Sequence, residues 1–169
     1  MTLGYILGGL LVLILIPSVI YSLTILTDLI YKIDLVQNIT IQWIIVLLLL
    51  VIGFSFGFSS IIYQNIIGKG GPLEISNIEI SPKTKNLVVS GPYRYTRNPM
   101  LFGTFLIYLA FATWINSLNA ILLVILFIVF MLSVVVRNEE KRLLKDFGNQ
   151  YEEYRRKTSL FIPWFPRNK

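Results

Sequence analysis

Long apolar runs, broken by one charge (Asp28, expected at the interface near the end of the first), restrict this chain more than any motif does. The first extends from Leu3 to about Ile30 and the second from Ile41 to about Ile67. At ~1.5 Å per residue, each is long enough to cross ~30 Å of hydrocarbon. A bilayer supplies no water to backbone N–H and C=O groups, so such runs must be helices. Two shorter runs follow, Met100–Trp114 and Asn119–Val136, joined by the tight link Ile115-Asn116-Ser117-Leu118. The pattern predicts an all-α integral membrane protein of about four transmembrane helices. The last two form a short helical hairpin, and a cytoplasmic amphipathic helical tail comes after it. Only 14% of the 169 residues are charged, against ~25% in soluble domains, too few to cover a water-facing surface.

Local signals refine this picture. The first run has no basic leader or A-x-A site, so no removable signal peptide is expected. Pro17 predicts a kink within it. Gly53, Ser55, Gly57, Ser59 and Ser60 predict close helix packing in the second run. Residues Gly68 to Asn98 read as a polar loop, with a short extended stretch near Leu73–Ile80. Asn98-Pro99 reads as an N-cap and first helical residue. Beyond Arg137, Leu143, Leu144, Phe147, Tyr151 and Tyr154 recur at helical spacing, with an interruption at Gly148-Asn149. Ser159–Phe165 reads as an aromatic segment folded back along the membrane surface.

The net charge is +6. Apart from Lys32, every basic residue lies at or beyond Lys69, in the loop or the tail. The positive-inside rule then places loop, tail and both termini in the cytoplasm, and explains the charge without nucleic acid. The chain contains no cysteine and no histidine. Disulfides, thiolate metal sites and imidazole chemistry are excluded, and a metal partner is not expected. The predicted organisation is residues 1–67 as two N-terminal helices and residues 68–169 as a catalytic region, within one compact domain.

The hairpin brings two polar segments together on one side of the membrane. One is Gly91-Pro92-Tyr93-Arg94-Tyr95-Thr96-Arg97-Asn98-Pro99; the other holds Glu139, Glu140, Tyr151, Tyr154 and Arg155. Through LVVSGPYRYTRNPM (Leu87–Met100) and EEKRLLKDFGNQYEEY (Glu139–Tyr154), with Pro163 beyond, the chain resembles the isoprenylcysteine carboxyl methyltransferase family. More widely, it resembles the membrane methyltransferases that include phospholipid N-methyltransferases. The resemblance covers roughly the C-terminal half of the chain.

This resemblance implies S-adenosylmethionine as cofactor and a lipophilic or prenylated methyl acceptor delivered by the bilayer. It implies cofactor binding by Gly91, Pro92, Tyr93, Arg97, Asn98, Pro99, Glu139, Glu140, Tyr151 and Tyr154. Arg97 or Arg155 would hold an acceptor carboxylate. Where the family commonly has Arg-His-Pro, this chain has Arg97-Asn98-Pro99; Asn keeps a hydrogen bond but cannot titrate. The absence of histidine leans towards an acceptor already ionised at neutral pH, such as an isoprenylcysteine-type carboxylate, with a phospholipid amine as the alternative. A sterol-type membrane reductase and a non-catalytic scaffold are the readings outside methyl transfer.

Overall fold

The computed structural model describes residues 8–69, 74–75, 78–79 and 84–165. Helix α1 (Gly8–Asp28), α2 (Ile39–Gly68) and α4 (Leu118–Phe147) are each long and apolar enough to cross a membrane, and α3 (Pro99–Ile115) is a shorter apolar helix. Only 11%, 17% and 22% of the apolar windows of α1, α2 and α4 are buried within the protein, so lipid must cover the rest. This is an all-α membrane protein. The exception is an antiparallel ribbon of two-residue strands, β1 (Glu74–Ile75) and β2 (Ile78–Glu79). Gly68–Lys69 and residues beyond Thr84 frame it. Much of the extended stretch foreseen there lies outside the described residues.

Small residues let α2 and α3 touch backbone to backbone. A Cβ on Gly103 would sit 2.7 Å from the Gly53 carbonyl oxygen and 2.8 Å from the Gly57 nitrogen. A Cβ on Gly57 would meet nothing within 4 Å. Close approach supplies the dispersion energy that holds helices together in lipid. Gln42, a buried polar residue of α2, donates to the Thr113 and Trp114 carbonyls at 2.9 and 3.0 Å, satisfying the C-terminal end of α3. At the same end, Asp28 accepts hydrogen bonds from Ser117 at 2.7 Å and Asn119 at 2.8 Å. That aspartate ties α1 to the α3–α4 turn rather than standing free at the interface. Asn116 adopts φ +58° there and accepts from the Leu35 and Val36 amides.

Pro17 disturbs α1 in a specific way. Leu11–Leu15 form a π segment in which the Ile16 amide reaches back to the Leu11 carbonyl. The Val12 carbonyl then has neither its α partner, Ile16, nor its π partner, Pro17, which has no N–H. Tyr108 of α3 fills the gap, its hydroxyl donating to the Val12 carbonyl at 2.6 Å. A neighbouring helix thus satisfies the backbone group that the proline strands.

The hairpin is less symmetric than the apolar pattern suggests. α4 runs 30 residues, through a π segment at Leu132–Val136 and on through the charged stretch Arg137–Phe147. The start of the tail is therefore the end of the last transmembrane helix. The break falls at Gly148, where φ is +51°. Helix α5 (Asn149–Lys157) turns back from it.

Two substitutions test the α2–α3 contact. Gly103→Val should cost about 1–3 kcal/mol or more through overpacking, lowering the melting temperature of the detergent-purified protein. Gly57→Ala, whose methyl enters open space and which favours the helix, should not lower it.

Candidate active site

Arg97 sits where three segments meet, just ahead of α3. Its Nε and Nη2 both donate to Oε1 of Glu140 on α4 at 2.8 Å. Its Nη1 donates to the Arg155 and Thr158 carbonyls, each at 2.8 Å. Its backbone amide donates to the Ser159 carbonyl at 2.9 Å. The two side chains are 10% and 18% exposed, so their attraction is little screened. A planar guanidinium can reach all these acceptors at once, which an ammonium cannot.

The aromatic residues complete the frame. Tyr151 donates to the same Glu140 Oε1 at 3.0 Å, Tyr154 to the Tyr93 carbonyl at 2.7 Å, and Tyr93 to Gln64 Oε1 at 2.5 Å. Burial is the leading cause that pushes all three phenols above their ordinary value of 10.0. Glu139 adds to the effect on Tyr93, Glu140 to that on Tyr151, and Tyr93 to that on Tyr154. The hydroxyls therefore stay protonated and their donor bonds stay made.

Asn98 departs from the reading as a helix cap. No side chain caps α3. The Asn98 amide group instead donates to the Leu160 carbonyl at 2.8 Å, joined by Thr96, which donates to Phe161 at 2.8 Å. These bonds, and the Thr96–Ser159 bridge, fix Ser159–Phe165 onto the Tyr95–Asn98 strand-like segment. The terminal aromatic stretch is part of the site's frame, with Phe161 packed on Phe102 and Phe105 of α3.

A cavity of about 330 Å³ opens inside this frame. Tyr93, Arg97, Asn98, Pro99, Glu139, Glu140, Tyr151 and Tyr154 line it. Gly91, Pro92 and Arg155 do not. Gly91 has φ +61° and lies so close to the Tyr63 ring that a Cβ would overlap it; the glycine lets the Pro92-Tyr93 turn pack on α2. Arg155 contributes its carbonyl to Arg97, while its side chain is exposed. Residues that the motifs did not single out also line the cavity: Leu11, Val12 and Ile16 of α1, Gln64 of α2, Thr84, and Tyr108 of α3. Glutamine and tyrosine side chains within apolar runs, Gln64 and Tyr108, were the available signals, since each needs a hydrogen-bond partner in lipid.

The oxygen inventory shows what the cavity can hold. Glu139 meets Arg142 with both oxygens, a fork–fork pair along one helix turn. Glu140 gathers Arg97 and Tyr151 on Oε1, leaving Oε2 with no partner among the described residues. One acceptor oxygen is therefore available beside three tyrosines, above an apolar lower half.

The model of the phospholipid methyltransferase family matches residues 41–150, about two thirds of the chain and including both Arg97 and Glu140. This chain belongs to that family. It is a membrane methyltransferase, and the Arg97–Glu140 pair and Gln64 lie within the family-matched region, whereas α1, Tyr151 and Tyr154 lie outside it. No curated protein and no solved structure gives a significant match to it.

Removing one member of a buried pair leaves the other uncompensated, at a cost of about 3–5 kcal/mol. Arg97→Met should destabilise the protein by that order, and Arg97→Lys should not restore it, read as thermal unfolding in detergent. The raised phenol values add an alkaline limit. Above pH 10.0 the unfolded chain releases tyrosine protons that the fold retains, so stability falls as pH rises through this value. Absorbance titration should show these three phenols ionising only as the protein unfolds.

Proposed function

We propose that the protein methylates the headgroup amine of a membrane lipid with S-adenosylmethionine, at the cavity end that faces the cytoplasm. The observation that carries this reading is the charge inventory of the cavity. Both cations in its lining, Arg97 and Arg142, are already held by Glu140 and Glu139, while Glu140 keeps Oε2 available. The paired charges cancel, and what the site offers a ligand is an acceptor oxygen, suited to an ammonium or a hydroxyl.

The residues fit the cofactor. Glu140 Oε2 suits an ammonium or a ribose hydroxyl. The rings of Tyr93, Tyr151 and Tyr154 suit a sulfonium, by cation–π attraction, and an adenine face. When bound, S-adenosylmethionine supplies an electrophilic methyl group. The work left to the chain is to orient the acceptor, exclude water and leave a nitrogen lone pair free for in-line attack. Family membership supports methyl transfer over the reductase and scaffold readings. The distribution of lysine and arginine supports a cytoplasmic loop and tail.

The absence of histidine favours the carboxylate acceptor of an isoprenylcysteine-type substrate. Both cavity arginines are paired with glutamates, so neither offers a free charge to such a carboxylate. An amine acceptor instead needs deprotonation before it reacts, and pH separates the two. Between about pH 6 and 9 a carboxylate is already fully deprotonated, whereas an aliphatic ammonium stays mostly protonated and only its small free-amine fraction can react. For an amine acceptor, the rate at saturating cofactor should rise roughly tenfold per pH unit. A flat profile would overturn the amine assignment. In calorimetry, Glu140→Gln should weaken S-adenosylmethionine binding by about tenfold or more, as expected for loss of a charge-assisted bond.

A further inference from the structure

The lower half of the cavity runs between α1, α3 and α4 and ends on a closed floor. Down α3, the lining passes from Arg97 through Leu101 and Thr104 to Tyr108; on α4 it ends at Phe127. With a rise of ~1.5 Å per residue, the part of this path on α3, from Pro99 to Tyr108, is about 14 Å deep. The Tyr108 and Phe127 rings pack at 5.7 Å between centroids. Beneath them lie Ile20, Ala112, Ala120 and Val124, all 4% exposed or less, a filled layer with no room to continue.

The floor is also held in place. Tyr108 is 1% exposed, and its hydroxyl donates to the Val12 carbonyl that Pro17 leaves without a backbone partner. Swinging the ring aside would strand that carbonyl in an apolar surrounding, which opposes opening.

We propose that Tyr108, locked onto Val12, together with Phe127 sets the maximum length of the acceptor's apolar chain. The ligand is an amine amphiphile whose head meets the cofactor at the polar end of the cavity and one of whose alkyl or isoprenoid chains runs down to this floor. This inference rests on the lipid acceptor of the proposed function. It adds two specificity-determining residues, and it assigns Pro17 the role of making the carbonyl that positions one of them.

The test uses the full-length protein and acceptors of graded chain length. Methylated products from an equimolar mixture would be read by mass spectrometry. Wild type should lose about tenfold in preference for each methylene beyond the floor, the usual discrimination of a closed apolar pocket. Phe127→Ala should shift the optimum to longer chains. Thr104→Phe, one helical turn above Tyr108, should shift it to shorter ones by about 6 Å of channel. An unchanged profile in active variants would overturn the proposal. A second measurement does not depend on turnover: photolabelling with an amphiphile carrying a diazirine at its chain end. Labelling of peptides containing Tyr108, Phe127 or Ile16 supports the floor; labelling confined to other segments overturns it. If wild type is labelled at the floor yet methylates no lipid, the proposed reaction fails and the floor stands.

Discussion

The Arg97–Glu140 pair is the contact on which the site depends. One guanidinium joins the segment before α3, the end of α4 and the carbonyls at the end of α5. Its partner carboxylate also holds Tyr151. Helices in lipid gain little from hydrophobic association, so a desolvated polar cluster at the membrane boundary can decide how the polar segments close over a cavity. The same concentration of bonds on Glu140 Oε1 leaves Oε2 available. Structural and chemical roles are thereby divided between two atoms of one side chain.

At the other end of the cavity, the governing constraint is backbone satisfaction in lipid. Pro17 removes a donor, α1 shifts to π geometry, and the Val12 carbonyl takes its hydrogen bond from Tyr108. That bond joins α1 to α3 and seats a tyrosine across the bottom of the cavity. Polar closure above and a hydrogen-bonded aromatic floor below give a cavity with a polar end and an apolar end, the shape of an amphiphile.

Much of this was legible in the sequence because two physical signals are strong. Apolar runs in lipid specify helices, and the four helices lie on those runs, three of them long enough to cross a membrane. The motif segments around Arg97 and Glu139-Glu140 do converge on the cavity. What the sequence concealed were partners distant along the chain. Asn98 before Pro99 reads locally as a cap, but its amide nitrogen is drawn to the Leu160 carbonyl and its oxygen caps no N–H of α3. The charged stretch after Val136 reads as the start of a separate tail, yet it contains no helix breaker before Gly148, so α4 continues. Ser159–Phe165 has no periodicity, and only the hydrogen bonds to Thr96 and Asn98 locate it. Val12 is an ordinary apolar residue until the proline five positions on is considered with Tyr108.

The central claim is transfer of a methyl group to a lipid amine. It is tested most directly by incubating the reconstituted protein with S-adenosylmethionine bearing an isotopically labelled methyl. The vesicles would carry both amine-headgroup lipids and lipid-linked carboxylates. The account predicts label as N-methyl on the amine lipid. Label as a base-labile methyl ester, with the amine lipid unlabelled, would contradict it.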